Sequence, residues 1–452
     1  MSARTWLEAA AAPLVGWLGT RRRPTPPLAG VAPPAPLFGR RRPPEEAPGT
    51  AARALEAAHR LALEFAELAP PARVALAGPI AERLRVLVRG NGTSERPGEV
   101  FRSALALAWG GRLFVGEEPR RWTQEAATRL AAALERGVAG DGVVVGAGVR
   151  AHLEALSDAL ECRALLVHET DVERQDARLE ALLQAAADLR TPGRRTVDAP
   201  GAPQCLAAWR RMTGRKPQPR PTFALESSGF YGVRAERSLV LIDAGGPRRS
   251  SALALEWTVD GQRLLVAEGA EPGDPAQSDT DGLALDGVAR GKASVERTRL
   301  EQLGRTIVVE AVHRGFAGLR GRPLHNRRVT ATVHGLSVED YIAGGAGQDV
   351  RAELLLHPSV EVRCRGSSLV LVAGPVTALV ETRHEVEVER AWWLGEDGEW
   401  RSTRRLVVRY APAPCSGSFR IDRLAPKTAL TGFLRRESLA LDRLRARARV
   451  SA

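Results

Sequence analysis

Along the first half of the chain, apolar positions recur at the 3.6-residue spacing of helices. Val149, Leu153, Leu156 and Leu160 share one face, and Leu179, Leu182, Leu183, Ala186 and Leu189 form a second stripe. The same spacing predicts helices near 51–68, 79–89, 99–109 and 121–136, with Thr123 as an N-cap. Gly, Pro and Asn clusters at 90–98, 137–148 and 191–203 interrupt the pattern. Antiparallel helices with short loops describe an α/α array over 51–215, either a bundle or an incomplete toroid.

Near residue 221 the period changes to two. Strands are predicted at 238–243, 252–259, 263–267, 305–312, 327–333, 351–356, 360–364, 368–372, 377–389 and 404–410. Turn signals such as Asp260-Gly261 and Gly344-Gly345 separate them, as a large antiparallel β-sandwich over 221–422 requires. Two flanking segments follow neither pattern. Residues 1–50 are a Pro/Arg-rich leader that buries too little apolar surface to fold alone. Residues 423–452 return to a basic amphipathic helix, with Leu434, Leu439, Leu441 and Leu444 among arginines, expected to pack on the sandwich. The predicted class is therefore multidomain α and β.

Composition changes this picture little. The net charge of +12 comes almost entirely from arginine, since only three lysines occur among 452 residues. Such a balance suits an acidic partner, although an Ala-, Gly-, Pro- and Arg-rich composition also arises from GC-rich coding alone. No zinc-finger spacing, RNA-binding aromatic signature or zipper heptad supports nucleic acid as that partner. No apolar run is long enough for a membrane span. Four scattered cysteines read as reduced thiols, neither a disulfide framework nor a zinc site. The charge order near the N-terminus does not fit a secretory signal, which makes the cytoplasm the default compartment and leaves the cell envelope open. The oligomeric state is not legible. No P-loop, dinucleotide fingerprint or serine-nucleophile elbow occurs, so no cofactor is expected. Asp274, Asp279, Asp281 and Asp286 lack the ligand order of a calcium loop, so no metal is expected either.

An ordered set of short motifs carries the functional signal. Ser228-Gly-Phe-Tyr-Gly-Val-Arg leads into Leu241-Ile-Asp-Ala-Gly, then Leu253-Ala-Leu-Glu256, Val259-Asp-Gly-Gln-Arg-Leu-Leu-Val266 and Gly269. His313-Arg-Gly-Phe316, Gly321-Arg-Pro-Leu-His-Asn-Arg-Arg328, Val338-Glu-Asp340 and Leu356-His-Pro358 follow. This succession resembles the β-domain of the heparinase II/III-like polysaccharide lyases. The resemblance implies a toroid stacked on a sandwich, with an acidic polysaccharide bound in a cleft between them. It also implies β-elimination from a uronate, using a Tyr/His pair, a further His and an Asn. Here the chain departs from the family. The "G-H-x-H-x-D" segment is replaced by Gly246-Pro-Arg-Arg-Ser-Ser251, and "H-N-T-V" by Thr280-Asp-Gly-Leu283. "Y-H-A-L" becomes Ala151-His-Leu-Glu154, and "N-H-L-L" has no counterpart near Arg96 to Val100.

Individual residues then take these roles. His152 is the catalytic candidate by position, and read from the residues alone it is a histidine on a helix surface. Arg249 stands where the family carries a catalytic histidine. A guanidinium cannot act as a base at ordinary pH, but Arg248 and Arg249 suit a carboxylate or sulfate. His313, His325 and Arg327 are the remaining substrate-binding candidates, or else structural partners of Glu339 and Asp340. Alternation places His325 and Arg327 on one face of a strand and Arg328 on the other. The expected protein binds an acidic polysaccharide or a partner and is catalytically impaired. The alternatives are an active lyase with re-sited acid and base groups, and a non-enzymatic interaction protein of a surface-polysaccharide pathway.

Overall fold

Ala104-Leu-Ala-Leu-Ala-Trp109 is apolar on every side, so the helix that carries it has to be covered all round. The computed structural model covers it. The structure describes residues 50–65, 67–90, 97–166, 172–192, 202–245, 253–267, 282–286, 288–289, 295–365, 368–395 and 399–425. The leader before residue 50, the basic helix expected after residue 425, Arg248, Arg249, Asp274, Asp279 and Asp281 lie outside the described residues.

The chain divides into two compact units at Pro219 and Arg220. The first contains, among the described residues, seven helices: α1 (Thr50–Glu64), α2 (Pro70–Arg89), α3 (Pro97–Leu113), α4 (Glu117–Arg136), α5 (Val149–Leu165), α6 (Val172–Leu189) and α7 (Ala202–Thr213). α3 is the hub, packed against α1, α4 and α5. Phe101, Leu105 and Trp109 of α3 join Leu61, Ile80, Leu84, Leu130, Leu156 and Leu182 in one core.

Two details correct the sequence reading. Pro79 does not open a helix; Pro70 and Pro71 do, and Pro79 sits inside α2. A proline fits either place by its φ, but only the first turn has no N–H to lose. Thr123 is not a cap. It lies inside α4 and donates its hydroxyl to the Pro119 carbonyl at 3.2 Å, against Gly111 of α3, where any side chain would strike it.

The second unit holds eighteen described strands in three antiparallel sheets. β1 (Thr222–Leu225), β2 (Phe230–Ala235), β3 (Ser238–Asp243), β4 (Ala254–Val259) and β5 (Gln262–Leu265) pair in chain order. The next strands are β6 (Gly282–Leu285), β7 (Val288–Ala289), β8 (Val295–Leu303), β9 (Thr306–His313), β10 (Leu324–Thr332), β11 (Gly335–Ala343) and β12 (Val350–Leu355). They are followed by β13 (Glu361–Arg365), β14 (Ser368–Ala373), β15 (Val376–Glu381), β16 (Glu385–Leu394), β17 (Trp400–Arg409) and β18 (Cys415–Arg423). The large sheet runs β13-β14-β15-β18-β11-β10-β9-β8, and the third runs β16-β17-β12-β6-β7. Trp257, Val329, Val338, Leu354 and Leu406, contributed by all three sheets, share one core.

The single run expected over 377–389 is two strands in two sheets. Thr382 ends the first by donating its hydroxyl to the Ser418 carbonyl at 2.8 Å, and it accepts the His384 N–H at 3.2 Å to turn the chain. Charged β8 escaped the sequence reading because it is an edge strand and largely solvated.

Gly142 shows how tightly the helical unit closes. Its φ is +87°, and a Cβ there would overlap the Ala181 carbonyl of α6. Gly142→Ala should therefore cost about 2 kcal/mol or more, through strain and displacement of the 137–148 loop. Denaturant unfolding followed by far-ultraviolet circular dichroism checks this; an unchanged midpoint would show that the loop does not bear on α6.

Candidate functional site

Strand alternation turns four polar side chains into the sandwich, and the register brings them together. β9 and β10 pair His313 with His325, while β10 and β11 pair Arg327 with Asp340. Tyr410, just beyond β17, adds a fifth; all five are buried. Its ring lies where a Cβ on Gly417 of β18 would have to be, so the absent side chain is what admits it.

Asp340 is the acceptor at the centre. It receives His325 Nε2 at 2.6 Å and Arg327 Nε at 2.6 Å on Oδ1. Arg327 Nη2 at 2.9 Å and the Tyr410 hydroxyl at 3.0 Å reach Oδ2. Burial alone would raise the Asp340 carboxyl, but the Arg327 guanidinium and the His325 hydrogen bond outweigh it and hold it below the usual carboxylate range. Burial and the Asp340 charge push the Tyr410 phenol up.

The histidine tautomers follow from their partners. His313 Nδ1 accepts the Gly315 N–H at 3.0 Å, so the neutral ring carries its proton on Nε2. That proton goes to His325 Nδ1 at 2.8 Å, leaving the His325 proton on Nε2 facing Asp340. Each ring nitrogen is thus committed within the protein.

Arg327 also reaches beyond this network. It donates from Nη1 to the Leu253 carbonyl at 3.1 Å and from Nη2 to the Gly282 carbonyl at 3.0 Å. Leu253 and Gly282 are the first described residues after the stretches 246–252 and 268–281. These stretches hold Arg248, Arg249, Thr280 and Asp281, where the chain departs from the lyase pattern. Both anchors need unusual backbone, with φ of +67° at Leu253 and +128° at Gly282. The described residues that flank the first stretch are hydrogen-bonded to one another as well. Asp243 accepts the Gly245 N–H at 2.9 Å on its side chain and the Leu253 N–H at 2.5 Å on its carbonyl. One guanidinium therefore holds both described residues that follow the altered positions.

His152 lies in the other unit and takes no part in this network. It is not on a surface: its exposure is 0%, because the 137–148 loop and α6 close over the first turn of α5. Nδ1 accepts the Val144 N–H at 3.3 Å, and Nε2 is 3.2 Å from the Leu182 carbonyl, to which it donates. Burial lowers its pKa to about 4, so the ring is neutral near pH 7. Among the described residues, no group of three or more His, Cys, Asp or Glu side chains is placed to hold a metal. No described helix is long and apolar enough to cross a membrane.

The sequence offered His313, His325 and Arg327 as substrate-binding residues or as structural partners of Glu339 and Asp340; here His325 and Arg327 bond Asp340, and Arg328 faces the other way. It did not point to Tyr410 or to the carbonyls of Leu253 and Gly282. Backbone acceptors leave no side-chain signature, and Tyr410 is far from Asp340 in sequence.

A helical array followed by a large antiparallel sandwich is the fold of heparin- and heparan-sulfate-lyase structures. Heparinase III aligns over 93% of this chain and 73% of its own, with 11% identity and a TM-score of 0.65. Heparan sulfate lyase HepC from Pedobacter heparinus aligns over 83% of this chain and 67% of its own, with 13% identity and a TM-score of 0.56. At such identities the likeness shows the fold alone. Residues 217–422 match the family model described as heparinase II/III-like, C-terminal. Residues 217–422 are thus a heparinase II/III-like C-terminal domain, and the chain shares the fold of polysaccharide lyases. No curated protein matches it.

Two outcomes test the geometry. Arg327→Met leaves the Asp340 carboxylate buried without its counter-charge, which should cost about 3–5 kcal/mol in denaturant unfolding. A loss under about 1 kcal/mol would mean that the pair is dispensable. The second concerns His152. Its folded pKa lies below the unfolded value, so the unfolded chain binds the extra proton between about pH 6.5 and 4. Stability from this group is complete above pH 6.5 and falls by roughly 3 kcal/mol as pH drops to 4. His152→Leu should lower stability at pH 7 and flatten that decline; an unchanged pH profile would contradict the assignment.

Proposed function

We propose that this protein binds an acidic, uronate-containing polysaccharide and does not cleave it. One observation carries the reading: the histidines that could have inherited the acid and base work are inside the protein, with both ring nitrogens engaged. General acid–base catalysis needs a side chain within about 3 Å of the proton it moves. His152, His313 and His325 instead face a helix carbonyl, a backbone N–H, each other and Asp340.

Binding is assigned to Arg248 and Arg249. Arg249 stands where the family carries a histidine and Arg248 is beside it; the described residues that flank them are held by Asp243 and Arg327. A guanidinium cannot accept a proton from the sugar, yet it pairs with a carboxylate or sulfate in bidentate fashion. The likeness to structures titled heparan sulfate lyase and heparinase III supports an acidic polymer as the ligand class.

Incubation with a panel of uronic-acid polymers should give no rise in near-ultraviolet absorbance, the signature of an unsaturated uronate product. A rise would refute the absence of cleavage. Titration with the same polymers should show affinity that falls steeply with salt, because the contacts are between charges. Arg248→Ala/Arg249→Ala should weaken that affinity about tenfold or more, roughly 1.4 kcal/mol. Equal binding by the double variant would remove the arginines from the site.

A further inference from the structure

The strands that hold the buried pair also shape their opposite face. On β10, Asn326 and Arg328 flank Arg327; on β11, Glu339 and Tyr341 flank Asp340. Alternation sends these four outward, and the register sets Tyr341 beside Asn326 and Glu339 beside Arg328. Glu310 of β9 continues the row beyond Arg328, and Ser418 of β18 continues it beyond Glu339. Arg383, in the turn between β15 and β16, forms one wall. Together they line a groove of about 430 Å³, within the range of small-ligand sites.

The chemistry of this groove differs from that proposed for Arg248 and Arg249. Its outward charged side chains, Glu310, Glu339, Arg328 and Arg383, balance to zero, and Asp340, which also borders it, turns its carboxylate inward onto Arg327, so nothing in it draws in a polyanion. Arg328 and Glu339 stand 3.9 Å apart, too far to saturate each other. Asn326 donates to Glu310 at 2.9 Å and fixes that carboxylate in place. Tyr341 is 57% exposed, an aromatic ring left in solvent beside the row of hydrogen-bonding groups. Carboxylates accept from hydroxyls, guanidinium groups donate to hydroxyl and ring oxygens, and an aromatic ring packs on C–H faces. A molecule with one apolar face and a rim of hydroxyls meets all three demands. The row of Glu310, Arg328, Glu339 and Ser418 crosses four strands, roughly 14 Å, which suits more than one sugar ring.

We infer that the outer groove of the large sheet is a second carbohydrate site, which takes a neutral, hydroxyl-rich oligosaccharide. It does not depend on the reading of Arg248 and Arg249, which belong to the connection between β3 and β4 in another sheet.

The test uses the full-length protein and hexasaccharides of glucose, mannose, galactose and N-acetylglucosamine, titrated by calorimetry or by chemical-shift perturbation. At least one should bind at millimolar concentration or below, with affinity nearly independent of salt. Tyr341→Ala should weaken it about tenfold or more, and Glu339→Gln should weaken it as well. Both side chains are exposed, so an unchanged circular dichroism spectrum and unfolding midpoint separate lost binding from lost fold. Arg248→Ala/Arg249→Ala should leave this binding unchanged. Failure of all four sugars to bind overturns the inference, as does a sugar whose binding ignores both groove substitutions. If the groove substitutions instead weaken only the uronic-acid polymers, the neutral-ligand assignment is overturned, while the reading of Arg248 and Arg249 stands or falls on its own titration.

Discussion

The buried pair of Arg327 and Asp340 is the constraint on which the second unit depends. Two opposite charges withdrawn from water cost several kcal/mol each, and Coulomb attraction repays this only when the remaining donors and lone pairs are also satisfied. Here they are: Asp340 accepts four hydrogen bonds, and Arg327 places its other donations on two backbone carbonyls. That arrangement demands an exact register between β10 and β11. A one-residue slip would put Arg327 in solvent and Arg328 in the core. The pair thus selects the register as well as contributing to stability, and the Gly417 gap that admits Tyr410 extends the same requirement to β18.

This also decides what histidine is used for in the chain. A polar interior needs side chains that both donate and accept, and the relay from Gly315 through His313 and His325 to Asp340 uses histidine for that purpose. His152 does the same between a loop N–H and a helix carbonyl. Rings committed in this way are poor proton shuttles, because each protonation change would strand a buried partner. In the proposed function the altered stretch then contributes charge and no titration near neutrality. Arginine at 248 and 249 is consistent with a site that holds an anion through its whole encounter.

Much of this was legible in the chain, for identifiable reasons. The 3.6-residue stripe of α6 and the alternation in β9 and β10 are strong because each has one apolar face, and β3 shows as an unbroken apolar run, buried throughout. β11 and β18 were harder to see. Their inward positions include Asp340 and Gly417, which look like turn or surface residues until the partners are known. His152 misled for the same reason: a histidine in the first turn of a helix reads as solvated, and only the packing of Gly142 against Ala181 shows that a loop covers it. Contacts between distant segments, such as Tyr410 with Asp340 or Arg327 with Leu253, depend on sheet order, which local pattern does not encode.

The outer groove follows from the inner clamp by geometry alone. Because side chains alternate across a strand, fixing Arg327 and Asp340 inside fixes Asn326, Arg328, Glu339 and Tyr341 outside, at spacings set by the ladder. A recognition surface built on such strands loses little entropy when it binds, since its backbone is already held. The two faces still remain chemically separate. The inner face is buried and specific for one register, while the outer face is exposed and retains hydrogen-bonding capacity. A substitution at Tyr341 or Glu339 can therefore change what the sheet recognises without reaching the buried pair. One at Arg327 or Asp340 disturbs the groove and the bonds to Leu253 and Gly282 together.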